Sequence, residues 1–244
     1  MRIRRLPEIF ALICMITSTS CLPAEILRLH VDLDGDGKPE AIKISTSSAA
    51  EEWRKRFIVR IGASEYSSDF FSADGDFPSV SVVAIDRNRS QHQLLVSTPE
   101  AGSYIFHLLA YSSKKLISLL KFDSGPNGLP PESSGTGKVS VSTWQEFWSR
   151  EETYHLSKDG KTLVAEPKDI YDLWVAGAAG KNLILEGAEC ASHEVAPGTF
   201  IRVTLFDAKQ ERYFLKSANG GCGWIPASKV NTIDDTIKEL PWGG

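Results

Sequence analysis

The sequence lacks the short motifs that mark the common enzyme classes. It contains neither a Gly-x-Ser-x-Gly nucleophile elbow nor the full Gly-x-x-x-x-Gly-Lys-Ser/Thr pattern of a phosphate-binding loop. Acidic residues are plentiful, so counting alone does not exclude a glycosidase-type pair of carboxylates. We nevertheless predict a protein that is not an enzyme. The five histidines are scattered along the chain without the spacing of a metal site: His30, His92, His107, His155 and His193.

The sequence also lacks the apolar periodicity of a long amphipathic helix. Its apolar residues instead alternate with polar ones over short segments, and Gly, Pro, Asn and Asp residues separate these segments. Such alternation is typical of strands, because successive side chains of a strand point to opposite faces. We therefore predict a mainly β fold.

Cysteine is scarce, with four residues in 244. Cys14 and Cys21 lie near the N-terminus, which leaves Cys190 and Cys222 for the body of the protein. Two cysteines without a nearby pair of histidines cannot form an ordinary zinc site. In an exported protein they indicate one disulfide bond, and two free buried thiols are the alternative.

No apolar run is long enough for a permanent membrane-spanning helix. The segment Ile9–Ile16 is apolar but short; basic residues precede it, and small residues follow over 17–21. This order is that of an export signal, so we predict a signal peptide over residues 1–20 and a periplasmic or cell-envelope location. Cys21 stands where a bacterial lipoprotein carries its acylated cysteine. Cleavage with and without lipid are both open, and we expect membrane attachment only through such a lipid.

An excess of positive charge is absent as well. The chain has 27 basic and 31 acidic residues, a net charge of −4. Removal of residues 1–20 takes away three Arg and one Glu, which makes the remainder more acidic. This balance argues against nucleic acid as a partner.

One stretch stands out against these absences. Asp32 to Glu40 reads Asp-Leu-Asp-Gly-Asp-Gly-Lys-Pro-Glu, with four carboxylates in nine residues. Such charges repel one another unless a cation neutralises them, and the glycines allow the backbone to turn so that the carboxylates converge. Hard oxygen ligands favour Ca²⁺ before Mg²⁺, and a solvated acidic turn is the alternative. The predicted calcium ligands are the side chains of Asp32, Asp34, Asp36 and Glu40 and the backbone of Lys38.

The loop does not match an EF-hand. The twelfth position, normally a bidentate Glu, is Lys43, and Pro39 interrupts the loop. The segments on either side, 26–31 and 41–45, alternate apolar and polar residues. We therefore predict that the loop joins two strands.

A strand, Asp-x-Asp-Gly-Asp-Gly-x-x-acidic and a second strand together resemble the FG-GAP/VCBS repeat family over Leu29–Ile44. The resemblance implies that the loop binds calcium within a blade of a β-propeller-like fold. The layout recurs around Asp86–Ser90, where Arg87 and Arg89 stand between the oxygen donors, so we expect a repeat without metal. We predict a partial propeller-like domain over residues 25–168, with two or three blades.

Short predicted strands follow one another over residues 178–233, a spacing that suggests a small barrel. Three segments carry a resemblance to the bacterial SH3 (SH3b) family: Gly-Thr-x-Ile-x-Val from Gly198, Arg-Tyr-x-x-Lys from Arg212, and Asn-Gly-Gly-x-Gly-Trp-Ile-Pro-x-x-x-Val from Asn219. The resemblance implies an aromatic groove that binds cell-wall peptides or other proteins. The candidate groove residues are Phe206, Tyr213 and Trp224, with packing in the core as the alternative.

These observations favour an exported, calcium-binding, non-enzymatic protein that binds a protein or a peptidoglycan peptide in the cell envelope. The alternative is a periplasmic inhibitor or immunity protein against a lysozyme or another peptidoglycan hydrolase, which the FG-GAP-like arrangement also resembles. In that case the Pro-, Gly- and Ser-rich stretch 123–137, predicted to be an exposed loop or insertion, is the candidate inhibitory loop.

Overall fold

β strands form most of the chain in the computed structural model. It describes residues 26–48, 54–69, 71–72, 78–100, 102–187, 190, 193–231, 233 and 235–242. Two short 3₁₀ turns are the only helical elements among these residues, so the predicted mainly β class is confirmed. None of the helical elements described here has the length and apolar character needed to cross a membrane. The predicted signal peptide and Cys21 lie outside the described residues.

The first three sheets share one topology, an antiparallel meander of four strands in chain order. The first contains β1 (Ile26–Val31), β2 (Glu40–Ser48), β3 (Arg54–Ile61) and β4 (Ser64–Ser67), and β5 (Phe71–Ser72) adds to β3. The second contains β6 (Ser79–Val83), β7 (Gln93–Glu100), β8 (Ser103–Ser112) and β9 (Lys115–Asp123). The third contains β10 (Glu132–Ser133), β11 (Lys138–Gln145), β12 (Trp148–Leu156) and β13 (Leu163–Ala165).

The second sheet is covered on both faces. Leu94 and Val96 of β7 pack in a cluster with Phe57 of the first sheet, whereas Leu95 packs in another cluster with Val139 of the third sheet. This follows from the period-two alternation of strand side chains, and it explains why β7 begins with a continuous buried run. Burial of each large apolar side chain contributes about 1.5–3 kcal/mol, so both interfaces contribute substantially to stability.

The stretch 123–137 is a structured connection between the second and third sheets. It contains the 3₁₀ turn Gly125–Asn127 and strand β10. Ser124 is fully buried, and its backbone N–H and its hydroxyl both donate to the Tyr104 carbonyl. Parts of the stretch are exposed, but it supplies a strand of the third sheet and is not an insertion.

The remainder of the chain forms a five-stranded sheet with a short hairpin. In chain order its strands are β14 (Ile170–Ala179), β17 (Phe200–Asp207), β18 (Arg212–Ser217), β19 (Cys222–Pro226) and β20 (Ile237–Lys238). The hairpin consists of β15 (Leu183–Ile184) and β16 (Glu194–Val195). The spatial order of the sheet is β19-β18-β17-β14-β20, so it includes strands on both sides of the predicted segment 178–233.

The predicted disulfide bond is confirmed. Cys190 lies between β15 and β16 and is bonded to Cys222 at the start of β19, with a Cα–Cα distance of 5.6 Å. The bond closes a loop across the small sheet, which is worth about 3.7 kcal/mol in the chain-entropy description. A structural disulfide is consistent with an exported protein.

Candidate functional site

The acidic loop between β1 and β2 is coiled around the carboxylate of Asp32. Its Oδ1 accepts a hydrogen bond from the Gly35 N–H at 2.7 Å, and its Oδ2 accepts one from the Gly37 N–H at 2.8 Å. Both glycines have left-handed backbones, with φ of 81° and 85°, which residues with a Cβ rarely adopt. The alternation of Asp with Gly is therefore what allows this tight turn.

The other acidic side chains of the loop face the same point. One carboxylate oxygen from each of Asp32, Asp34, Asp36 and Glu40 lies within 4.8 Å of the others. Four hard oxygen donors at this separation can hold a metal ion. Lys38, the predicted backbone ligand, lies in the same turn, and its N–H donates to Asp36 Oδ1 at 2.8 Å.

The loop is anchored to the protein core at Leu33. This side chain is 1% exposed, and its backbone N–H donates to Glu40 Oε2 at 2.7 Å. The charge of the cluster reaches the neighbouring sheet, where burial and then the carboxylates of Glu40 and Asp34 raise the pKa of Tyr111. The carboxylates are thus positioned on a rigid base.

The second loop, predicted to be a repeat without metal, contains its own cation. Asp86 Oδ2 accepts a hydrogen bond from Arg89 Nε at 3.1 Å, and Asp86 Oδ1 accepts one from the Asn88 N–H at 3.1 Å. Arg89 Nη1 also donates to the carbonyl of Ser157 at 3.1 Å. The guanidinium therefore neutralises the carboxylate at this position.

The equivalent loops of successive sheets contact one another. The Ser90 hydroxyl donates to the Gly35 carbonyl at 3.1 Å, and the His92 N–H donates to the Leu33 carbonyl at 3.1 Å. The second loop contacts the third sheet in turn, where the Arg87 N–H donates to the Gly135 carbonyl at 2.9 Å. The candidate metal site is thus supported on one side by the second loop.

The three predicted groove residues do not form one exposed groove. Tyr213 is buried, and its hydroxyl accepts a hydrogen bond from Trp148 Nε1 at 3.2 Å. Phe206 is half-buried against Tyr213, with ring centroids 5.0 Å apart. Both residues therefore pack in the core between the third sheet and the C-terminal sheet.

Trp224 lies on the opposite face of the C-terminal sheet. It is half-buried, with its ring 5.0 Å from that of Phe214 and 4.4 Å from the Arg212 guanidinium. Tyr213 and Phe214 are consecutive in β18, so strand alternation directs one inward and the other outward. The register of β18 separates the predicted groove residues onto two faces.

The most exposed tryptophan among the described residues was not predicted from the sequence. Trp174 in β14 is 81% exposed, and two grooves of about 590 and 600 Å³ meet at its side chain. In the sequence Trp174 stands between Leu173 and Val175, and an apolar run of this kind does not distinguish an exposed Trp from a buried one. Comparison of the chain with protein-family models, with curated proteins and with solved structures gives no match.

Proposed function

We propose that this chain is an exported, calcium-binding, non-enzymatic protein that binds a protein or a peptidoglycan peptide in the cell envelope. The observation that carries the proposal is the convergence of the carboxylates of Asp32, Asp34, Asp36 and Glu40 within 4.8 Å. Calcium tolerates flexible coordination and prefers carboxylate and carbonyl oxygens, whereas magnesium requires a nearly ideal octahedron. Four carboxylates on a loop rich in Asp and Gly therefore favour calcium.

The proposed role of the ion is structural. The loop connects β1 to β2, and β1 pairs along its whole length with β2 in the order Ile26↔Ser45 to Val31↔Glu40. Because β1 is an edge strand, it has only this neighbour in its sheet. A cation that neutralises the loop would hold the two strands in register. Exported calcium modules often bind with dissociation constants of about 10⁻⁴ to 10⁻³ M, which suits such a role.

The two family resemblances are part of this proposal. Three successive four-stranded meanders, with the acidic loop between the first two strands of the first, support an FG-GAP/VCBS-like arrangement of blades. The 3₁₀ turn Ala227–Lys229 between β19 and β20, together with the strand order of the C-terminal sheet, supports an SH3b-like barrel. We assign the binding role to this barrel and a supporting role to the blades.

The inhibitor hypothesis rested on the FG-GAP-like arrangement, with the stretch 123–137 as the candidate inhibitory loop. This stretch contributes β10 to the third sheet, and its Gly125 lies against Trp144. No observation on the described residues favours inhibition over binding, so we propose the binding role alone. A lysozyme turbidity assay separates the two, because a binding protein leaves the rate of lysis unchanged.

Calcium titration tests the proposal directly. At about 10 mM calcium, a dissociation constant of 10⁻⁴ to 10⁻³ M gives about 1.4–2.7 kcal/mol of stabilisation, so the protein should melt at a higher temperature with calcium than with chelator. Asp34→Ala with Asp36→Ala should abolish both the heat of binding and the shift. Glu132→Ala with Glu151→Ala removes two exposed carboxylates elsewhere and is the control. No heat and no shift in the parent protein would contradict the proposal.

A further inference from the structure

Trp174 projects from an irregularity in β14. The register between β14 and β17 shifts between Asp172 and Val175, so β14 contains an extra residue at this point. A bulge of this kind changes the direction in which a side chain points. The Trp174 indole is 81% exposed, whereas the other described tryptophans are buried or half-buried. An indole exposed to this extent in a strand is characteristic of an interaction surface.

One of the two grooves that meet at Trp174 follows the edge of β14. We call it the edge groove. Four consecutive residues, Asp172–Val175, line it. Leu173 is buried and Trp174 is exposed, so a groove that touches both reaches around the edge of the strand. The opposite wall is rich in aromatic and proline side chains: Pro126, Trp144, Phe147, Trp148, Pro241 and Trp242.

The edge of β14 that borders this groove is open. On one side β14 pairs with β17 over most of its length. On the other side β20 pairs only with Ala178 and Ala179, Lys238 and Leu240 lie against Gly177, and no strand among the described residues pairs with 170–176. An open edge presents unpaired backbone N–H and C=O groups that another extended chain can pair with.

The second groove lies over the outer face of the same sheet, and we call it the face groove. It is lined by Trp174 together with Phe200, Arg202, Phe214 and Lys216. Neither Arg202 nor Lys216 forms an ion pair with any described residue. Asp172 is the one carboxylate among the residues that line this groove, so Arg202 and Lys216 leave it with a net positive charge, which favours an anionic partner.

We propose that an extended, acidic segment of a partner protein binds as an added strand on the open edge of β14. Its alternate side chains would point to opposite faces, apolar ones toward the tryptophans of the edge groove and acidic ones toward the outer face. There Arg202 lies opposite the small, exposed Ala176, so an acidic side chain beside Ala176 can reach its guanidinium. The inference rests on the proposed binding role and specifies its partner.

An extended peptide fits these features better than a neutral glycan does. A glycan can stack on Trp174, but it offers no regular row of N–H and C=O groups for the edge of β14 and no charge for Arg202 and Lys216. A peptide with alternating acidic and apolar residues uses all three. Charge complementarity and the open edge therefore both indicate a polypeptide.

The test uses a fluorescein-labelled peptide of alternating Glu and Leu residues and a Lys–Leu peptide of the same length, with fluorescence anisotropy as the readout. We expect the Glu–Leu peptide to bind at least about tenfold more tightly than the Lys–Leu peptide. Trp174→Ala should weaken its binding by at least about tenfold, and Arg202→Glu should reverse the preference. The control is Ile184→Ala, which removes another apolar side chain that is 72% exposed, and it should leave binding unchanged.

Alternating N-methylation of the Glu–Leu peptide tests the strand geometry. In an added strand only every second amide faces β14, so a peptide methylated on that set should lose binding and one methylated on the other set should keep it. Equal binding of both methylated peptides would overturn strand addition. So would unchanged binding in Trp174→Ala, tighter binding of the Lys–Leu peptide, or binding of a neutral N-acetylglucosamine hexamer at Trp174 in place of the peptide.

Two further measurements separate this inference from the proposed function. Sedimentation of the protein alone should show that the edge of β14 is free, and a dimer that Trp174→Ala dissociates would overturn the assignment to a partner. Calcium titration of Trp174→Ala should match that of the parent protein. If the parent protein binds calcium but not the peptide, only this inference is overturned. If the parent protein does not bind calcium, the proposed function is overturned.

Discussion

The guanidinium of Arg89 donates to the carboxylate of Asp86 in the second loop, with 3.1 Å between Nε and Oδ2. Asp86 is the first residue of this loop, as Asp32 is of the first loop. The carboxylates of Asp34, Asp36 and Glu40, however, lie close to that of Asp32. No basic side chain among the described residues forms an ion pair with these four acids. The second loop therefore neutralises its acid with a side chain, whereas the first presents four carboxylates that could hold a metal ion.

Removal of Arg89 should destabilise the protein. Arg89→Ala eliminates the ion pair with Asp86 and the hydrogen bond to the Ser157 carbonyl. The Arg89 and Asp86 side chains are 27% and 16% exposed, so we expect a loss of about 1–2 kcal/mol, more than an exposed pair contributes. Urea unfolding measures this loss. Arg87→Ala, at an exposed side chain of the same loop, should change stability by less than about 0.5 kcal/mol, and equal losses in both variants would contradict the role of Arg89.

The contact between the first two loops can be isolated with two glycines. Gly35 and Gly37 have nearly equal φ angles, so replacement by Ala costs each about 1–3 kcal/mol of backbone strain. A Cβ on Gly35 would also collide with Ser90, whereas a Cβ on Gly37 meets nothing within 4 Å. With chelator present, Gly35→Ala should therefore unfold at lower urea concentration than Gly37→Ala. Identical midpoints would show that the contact with Ser90 is not rigid.

The first loop was predictable because its chemistry is local. All four acids fall within nine residues, and period-two alternation marks the strands on either side. The disulfide bond followed from the cysteine count, since only two cysteines remain beyond the N-terminal region.

The surface around Trp174 was not predictable for two physical reasons. The bulge interrupts the alternation of β14, and small residues follow it from Ala176 to Ala179, so the segment does not have the pattern of a strand. The wall opposite β14 also comes from distant parts of the chain, since Trp144 precedes β14 in the sequence and Trp242 follows it. The faces to which the side chains of β18 point depend on how this strand pairs with its neighbours. The local sequence does not determine that pairing.

His107 is the buried basic group on which stability should depend as pH changes. It is 2% exposed in β8, its Nδ1 lies 2.9 Å from the Tyr66 hydroxyl, and its ring packs edge-on against Phe57. Burial, and secondarily the positive charge of Lys121, lowers the pKa of His107 from 6.5 to about 4, although Asp69 acts in the opposite direction. The folded protein therefore holds this imidazole neutral.

Acidification should destabilise the fold between pH 6.5 and pH 4. In this range the unfolded chain binds a proton on His107 and the folded chain does not, so the free energy of unfolding falls as pH falls, by roughly 3 kcal/mol in total. Above pH 6.5 both states are neutral and this contribution is constant. Urea unfolding at several pH values should show a decrease that His107→Gln removes. His193→Gln, at an exposed histidine, should keep it, and the same decrease in His107→Gln would contradict the assignment.

The C-terminal sheet should require residues beyond 178–233 to fold. A fragment with these limits lacks almost all of β14, which pairs with β17 and contributes Tyr171 and Leu173 to the buried cluster, and it lacks β20. We expect this fragment to show poorly dispersed amide resonances, whereas a fragment over 166–242 should show the dispersion of a folded sheet. Both fragments retain Cys190 and Cys222, so the disulfide bond can form in each under oxidising conditions. The two fragments then differ only in whether they contain the complete β14 and β20. The longer fragment should still be less stable than the whole chain, because Phe147 and Trp148 of the third sheet belong to the same cluster. A well-dispersed spectrum for 178–233 would show that β14 is dispensable.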